Sequence, residues 1–324
     1  MSSFPTVRLR RLRAQEGSRR MVRETSVHAS SLILPVFVDP ALRKPQSIPS
    51  LPGLTRYPPE GLLPLARRAE RAHLGGLLLF GRPLRKDPQG SGAWDEEGSV
   101  PRALRSLRSR TRLLLAADVC LCAYTTDGHC GYWRDGGLDN DRSLPSVARV
   151  AVSYARAGAD WLAPSAMLDG QVQALREALD GSGHSDRAIL AYSAKSASAF
   201  YDPFREVEGS SPRQGDRKGY QMDYGNAREA LREMAMDVEE GADLVMVKPG
   251  LPQLDLLARA RERFQLPLAV YQVSGEYAMM KDAARAGHLT ESRAVPEVLT
   301  AFRRAGADVI LSYYALEAVE QGWI

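Results

Sequence analysis

Short runs of consecutive apolar residues alternate along the chain with longer stretches whose apolar positions recur every three or four residues. The runs fall at 31–38, 75–80, 112–119, 160–165, 188–195, 244–248, 267–274 and 308–314. Unbroken apolar runs of this length suit strands covered on both faces, as in a parallel sheet. The intervening stretches at 60–73, 147–157, 171–179, 227–240, 253–264, 277–286 and 294–305 carry helical spacing. A short phrase also precedes three strands: Ala157-Gly-Ala-Asp160, Glu240-Gly-Ala-Asp243 and Ala305-Gly-Ala-Asp308. Each reads as a helix stopped by glycine before a strand begins, so a helix–strand unit is repeated.

Eight strands separated by helices predict a closed parallel (β/α)8 barrel, a TIM barrel, whose usual size of about 250 residues suits residues 25–324. Residues 1–24 then form an extended N-terminal arm. A doubly wound open sheet is the alternative, but no glycine-rich phosphate loop follows the first strand.

In such a barrel the C-terminal ends of the strands open on one functional face. The residues expected there are Asp118, Ser165, Lys195, Lys248, Ser274 and Tyr313, together with a cysteine cluster. Lys248 closes the run Leu244-Val-Met-Val and is followed by Pro249-Gly250, while Lys195 closes Ala188-Ile-Leu-Ala-Tyr-Ser-Ala. A single lysine so placed commonly reaches for water. Two brought together lower each other's proton affinity, and a neutral amine attacks a carbonyl to give a Schiff base.

All three cysteines stand in one segment, Cys120-Leu-Cys122-Ala-Tyr-Thr-Thr-Asp-Gly-His-Cys130, which is not how a disulfide framework distributes them. If the segment is extended, Cys120 and Cys122 face one way, and a turn at Asp127-Gly128 returns Cys130 to them. Three thiolates with an open fourth position describe a catalytic zinc site. His129 is a candidate fourth ligand ranked below the cysteines, and three packed or redox-active thiols are the plainer alternative. Residues 201–221 lack periodicity and are expected as a loop over the active face, with Arg205, Arg213 and Arg217 offering guanidinium forks to carboxylates.

No apolar run approaches the roughly 20 residues that cross a bilayer, and no secretory leader is evident, so a soluble, cytoplasmic protein without membrane partners is expected. The net charge is +4, yet residues 1–23 hold seven arginines against one glutamate, which leaves the remainder slightly acidic. No aromatic residues interleave those arginines as a base-stacking surface requires, which argues against nucleic acid and for an arm that docks on a subunit.

These motifs resemble the porphobilinogen synthase (5-aminolaevulinate dehydratase) family. The cysteine segment from Asp118 to Cys130, Tyr192-Ser-Ala-Lys195, Met246-Val-Lys248-Pro249 and Tyr271-Gln-Val-Ser-Gly-Glu276 carry the resemblance, which runs nearly end to end. It implies condensation of two 5-aminolaevulinate molecules to porphobilinogen with loss of water, in tetrapyrrole synthesis. It further implies Schiff bases at Lys195 and Lys248, zinc on Cys120, Cys122 and Cys130, and proton handling by Asp118. Substrate carboxylates would meet Arg205, Arg217 and Gln221 at one site and Ser274 and Tyr313 at the other. A homo-oligomer, commonly an octamer built through the arm, is implied as well.

The family's Pro-Ser-Asp-Met-Met-Asp-Gly-Arg segment reads Pro164-Ser-Ala166-Met-Leu-Asp169-Gly-Gln171 here, which removes a carboxylate and a guanidinium. Val238 replaces a glutamate that serves an allosteric magnesium site in some bacterial members, so no such site is expected. Two other readings stay open: a degenerate, non-catalytic barrel kept for binding, and a class I aldolase-type lyase. The second leaves three cysteines and one lysine without a role.

Overall fold

The computed structural model describes residues 3–324. Among them, eight parallel strands close into a barrel: β1 (Leu32–Val38), β2 (Gly76–Gly81), β3 (Leu114–Val119), β4 (Trp161–Pro164), β5 (Ala188–Lys195), β6 (Leu244–Lys248), β7 (Leu268–Gln272) and β8 (Val309–Ser312). Each pairs with its neighbour, and β8 returns to β1 through Leu32 opposite Ile310 and Ile33 opposite Leu311. All eight lie where the apolar runs predict them, because a strand buried on both faces needs an unbroken apolar run.

The helices are α1 (Glu16–Met21) in the arm, α2 (Leu63–Arg71), α3 (Ser99–Arg108), α4 (Asn140–Ala157), α5 (Gln171–Gly181), α6 (Asp202–Glu208), α7 (Ala227–Glu239), α8 (Leu254–Arg263), α9 (Ser274–Arg285), α10 (Glu291–Arg304) and α11 (Ala315–Glu320). Four of these lie outside the expected set: α1, α3, α6 and α11. The stripe of α3, at Val100, Ala103, Leu104 and Leu107, has the helical spacing and is buried. By contrast α6 is too short to show a period, so the expected loop at 201–221 begins with a helix. Helix α4 starts well before residue 147 because the Asp139 side chain accepts the Arg142 N–H as an N-cap.

The repeated Gly-Ala-Asp phrase has a structural purpose at the N-terminal face. Gly158, Gly241 and Gly306 all adopt left-handed φ angles, which ends each helix without a Cβ clash. The aspartate that follows then laces the previous strand: Asp160 Oδ2 accepts Leu115 N–H at 3.0 Å, Asp243 Oδ2 accepts Ile189 N–H at 2.7 Å, and Asp308 Oδ2 accepts Leu268 N–H at 3.0 Å. Each thereby satisfies a strand-end donor and fixes the register of β3, β5 or β7 against its successor. No described helix is long and apolar enough to cross a membrane.

Candidate active site

The barrel delivers Lys195 and Lys248 to its C-terminal rim as Cα partners across β5 and β6. Both are buried, in a cleft that Asp118, Cys122, Ser165, Arg205, Arg217, Ser274 and Tyr313 also line. Residues from β3, β5 and β6 and from the loops after β3, β4, β5, β7 and β8 therefore share one space. Of the predicted site residues, Gln221 is the one placed elsewhere around the rim: it is buried and lines a neighbouring cavity with Asp169, Asp223 and Glu229. Neither of its amide atoms has a hydrogen-bond partner among the described residues.

Aromatic rings enclose Lys248. Its Nζ lies 4.2 Å from the ring centroid of Tyr271, 4.7 Å from Tyr192, 5.4 Å from Tyr201 and 5.7 Å from Phe204. Burial, reinforced by the neighbouring Lys195, lowers the Lys248 pKa to about 7, against the pull of Asp118 and the cysteines. An amine that is half neutral at physiological pH is a nucleophile. Lys195 donates through Nζ to the Ser165 carbonyl oxygen, which fixes its direction.

Asp118 answers the two cations. Burial raises its pKa to about 6, while Lys248, Lys195 and a hydrogen bond from Ser165 act in the opposite sense. Its Oδ1 is buried without a partner among the described residues, so an acid near its midpoint has one oxygen free for a ligand.

The three sulfurs lie within 4.8 Å of one another, all buried. The segment is not extended, as alternation would need. Instead a turn closes after Cys120, with Tyr124 N–H and Thr125 N–H both donating to Leu121 O, and Cys122 N–H points at Cys120 Sγ at 3.5 Å. The expected turn at Asp127-Gly128 does return Cys130: Asp127 Oδ1 accepts His129 N–H at 2.9 Å, and Gly128 is left-handed beneath Ser211 O. Hydrogen bonds from Cys120 and Cys122, then the charge of Arg217, hold Cys130 well below the usual thiol range. His129 turns away from the sulfurs. Its Nδ1 meets Tyr220 Oη at 3.1 Å, its Nε2 meets Gln214 O at 2.9 Å, and its ring stacks on Trp133 at 3.8 Å. A soft, buried trio with Cys122 on the cleft wall would suit a thiophilic divalent metal.

Arg205 on α6 and Arg217 beyond it approach the cleft from above. Arg217 donates through Nη2 to Gly128 O at 2.9 Å and Ser210 O at 2.5 Å, tying the cysteine turn to residues 210–217. Each arginine keeps a buried Nε with no partner among the described residues. Such donors are costly to leave unmet unless a ligand supplies an acceptor. Ser274 Oγ accepts Phe204 N–H at 3.0 Å, and Tyr313 Oη accepts Tyr271 O–H at 3.2 Å. Glu276, buried at the start of α9, accepts Leu251 N–H at 2.6 Å and Val273 N–H at 2.6 Å, which anchors the loop after Lys248.

Sequence reasoning did not find Tyr192, Tyr201, Phe204 and Tyr271. Tyr192 and Tyr271 lie within apolar runs, where an aromatic residue reads as core. Ala166 and Gln171, the departures from the family pattern, are buried but do not line the cleft.

A parallel barrel with paired lysines, an acid and a cysteine cluster converging at its C-terminal mouth defines a barrel enzyme with a buried, charged reaction chamber. The model of the family "Delta-aminolevulinic acid dehydratase" matches residues 6–321, and the chain belongs to that family. The Archaeoglobus fulgidus delta-aminolevulinic acid dehydratase is 48% identical over 322 residues, covering 99% of each chain. Its Escherichia coli counterpart is 45% identical over 315 residues, covering 97% of each. A solved structure of delta-aminolevulinic acid dehydratase (porphobilinogen synthase) from Toxoplasma gondii, in complex with the reaction product porphobilinogen, superposes with a TM-score of 0.94. That chain is 44% identical, and the match covers 97% of this chain and 91% of that one.

Proposed function

We infer that this protein is a porphobilinogen synthase, a lyase that condenses two 5-aminolaevulinate molecules to porphobilinogen with loss of water in tetrapyrrole biosynthesis. The observation that carries this reading is the buried Lys195–Lys248 pair beside Asp118 and three converging sulfurs. The pair supplies two amines for two ketone substrates. Lys248, held to a pKa of about 7, captures one carbonyl, and Lys195 is set to capture the other. Asp118 moves protons as each carbinolamine loses water. Arg205 and Arg217 hold one substrate carboxylate, and Ser274 and Tyr313 the other. Gln221 joins the first group if a substrate draws its loop inward.

Cys120, Cys122 and Cys130 would hold zinc, whose bound form supplies Lewis acidity toward the oxygen of the second substrate. The burial of the trio, its sulfur donors and its thiolate suit zinc over the harder magnesium.

The degenerate-barrel reading loses ground because both departures, Ala166 and Gln171, fall outside the cleft while the charged groups inside it remain. An aldolase-type lyase leaves the cysteine cluster unused. Incubating purified, zinc-replete protein with 5-aminolaevulinate and detecting the pyrrole colorimetrically tests all three. Pyrrole that disappears on chelation supports the synthase, and its absence from folded, zinc-loaded protein sinks it.

The arm exposes Phe4, Leu9, Leu12 and Met21 beside its arginines, an apolar edge that suits docking on another copy. The reading therefore includes a homo-oligomer, an octamer in the family's usual form, and cytoplasmic placement. Sedimentation of the full chain against one lacking residues 1–24 checks the assembly.

A further inference from the structure

Lys195 opposite Lys248 is the last rung of the β5–β6 ladder. Only Ala194 opposite Val247 separates it from a break: Val245 pairs with Ala191 and Val247 with Ala194, so β5 advances three residues where β6 advances two. An end rung next to a β-bulge is a weak place to fix two amines, because ladder ends fray. Pro249 then ends β6, since it brings no N–H to a further ladder bond. Contacts beyond the sheet have to hold the two chains together at the rim.

Ser196 does so at two points. Its N–H donates to Lys248 O at 3.1 Å, and its Oγ accepts Gln253 Nε2 at 2.7 Å. Ser196 directly follows Lys195, and Gln253 lies on the single helical turn Leu251–Gln253 that follows Lys248, so the two bonds close a ring around the paired lysines. The rest of the ring is tied down as well: Lys195 O accepts Met222 N–H at 3.3 Å, and Lys248 O also accepts Tyr201 O–H at 3.1 Å.

Gln253 spends its side chain on this bond. It is the N-cap of α8, a position that Ser, Thr, Asp or Asn fill well because a short side chain turns back to the first helical N–H groups. The Gln253 side chain caps nothing, and although it is 4% exposed its Oε1 meets no partner among the described residues. A buried amide satisfied on one side only is costly, and its one bond runs from the exit of β6 to the exit of β5. Ser196 is buried too, and neither residue lines the cleft.

We propose that Gln253 and Ser196 are positioning residues: their side-chain hydrogen bond clasps the exits of β5 and β6 and holds Lys195 and Lys248 at the spacing that two substrates need. The inference rests on the reading of both lysines as carbonyl-capturing amines. With the clasp open, either lysine can still capture a carbonyl. What is lost is the joint geometry, so the joining of two substrates slows while the first capture persists.

That difference is the test. In the full-length, zinc-loaded protein, Gln253→Leu, Ser196→Ala and the double variant are compared with wild type by two readouts. One is pyrrole turnover divided by the number of sites that borohydride traps with 5-aminolaevulinate, and the other is hydrogen exchange of the Ser196 N–H without substrate. Turnover per trapped site should fall by about 10- to 100-fold in each single variant, the size of effect that a misplacement of up to about 1 Å produces, with KM within about threefold of wild type. The Ser196 N–H should exchange at least about 10-fold faster, while that of Ile189, at the far end of β5, keeps its wild-type rate. The double variant should be no worse than the more damaged single one, since both changes remove the same contact. Unchanged Ser196 exchange in both single variants overturns the proposal, as does a loss of activity that only tracks fewer trapped sites, or losses that add in the double variant. If Gln253→Leu does not fold, the smaller change Ser196→Ala decides. Should wild type neither trap nor turn over 5-aminolaevulinate, the functional reading fails, while Ser196 exchange still decides whether the clasp holds the rim.

Discussion

Lys195 and Lys248 face each other across β5 and β6, each the Cα partner of the other, with a buried carboxyl group lining the same cleft. Burial and the second cation hold Lys248 to a pKa of about 7. An amine must be neutral to attack, so kcat/KM should rise with pH through about 7 and level above it. Profiles of initial rate against pH check this; a rate independent of pH between 6 and 8 would contradict the assignment.

The same lysine should cost stability. Its folded pKa, about 7, lies below the unfolded value of about 10.4, so between these the unfolded chain binds a proton that the folded chain lacks. The penalty is therefore full below about pH 7 and fades as pH rises toward 10.4. Lys248→Met should abolish pyrrole formation while adding on the order of 1 to 3 kcal/mol, after allowance for the Asp118 contact it removes. Calorimetry should find a melting temperature raised at neutral pH, with the gain shrinking in alkaline buffer. A lower melting temperature at pH 7 would show that Lys248 is held more favourably than its burial suggests.

Metal removal should uncover the cysteines. With all three buried and converging, a thiol reagent should react slowly with zinc-loaded protein and faster once a chelator has stripped the ion. Cys130→Ser should weaken zinc binding by about 100-fold or more, since it removes the thiolate that its neighbours stabilise. Zinc content after dialysis measures it; full occupancy in that variant would refute the three-sulfur site.

Magnesium should do nothing further. Val238 on α7 is apolar, half-buried and packed against the core, so it offers no oxygen ligand there. Clear stimulation of the zinc-loaded enzyme by added magnesium would show a cation site formed by other residues.

Arg217 should act mainly through binding. Arg217→Met removes the buried donors facing the cleft and should raise KM by roughly 10- to 100-fold with a smaller fall in kcat, the cost of a lost charged hydrogen bond. Arg217→Lys should rescue poorly, since an ammonium cannot span Gly128 O, Ser210 O and a substrate together. A full rescue by lysine would reduce the role to charge alone.

The barrel, the lysines at its rim and the cysteine segment are legible in the order of the amino acids alone. Those features are local: an apolar run is a strand because both faces are covered, a left-handed glycine stops a helix, and an Asp-Gly pair turns a chain back. The remaining features arise from contacts between distant segments. The aromatic wall around Lys248 gathers rings from β5, β7 and α6, none of which signals the others in sequence. Gln221 lines a different cavity, at the end of a turn closed by its own N–H on Arg217 O, and stays buried there. Most tellingly, alternation along β5 alone puts Tyr192 and Lys195 on opposite faces. One extra residue, visible only once β5 is paired with β6, turns the lysine into the cleft, because register belongs to a pair of strands and not to either strand by itself.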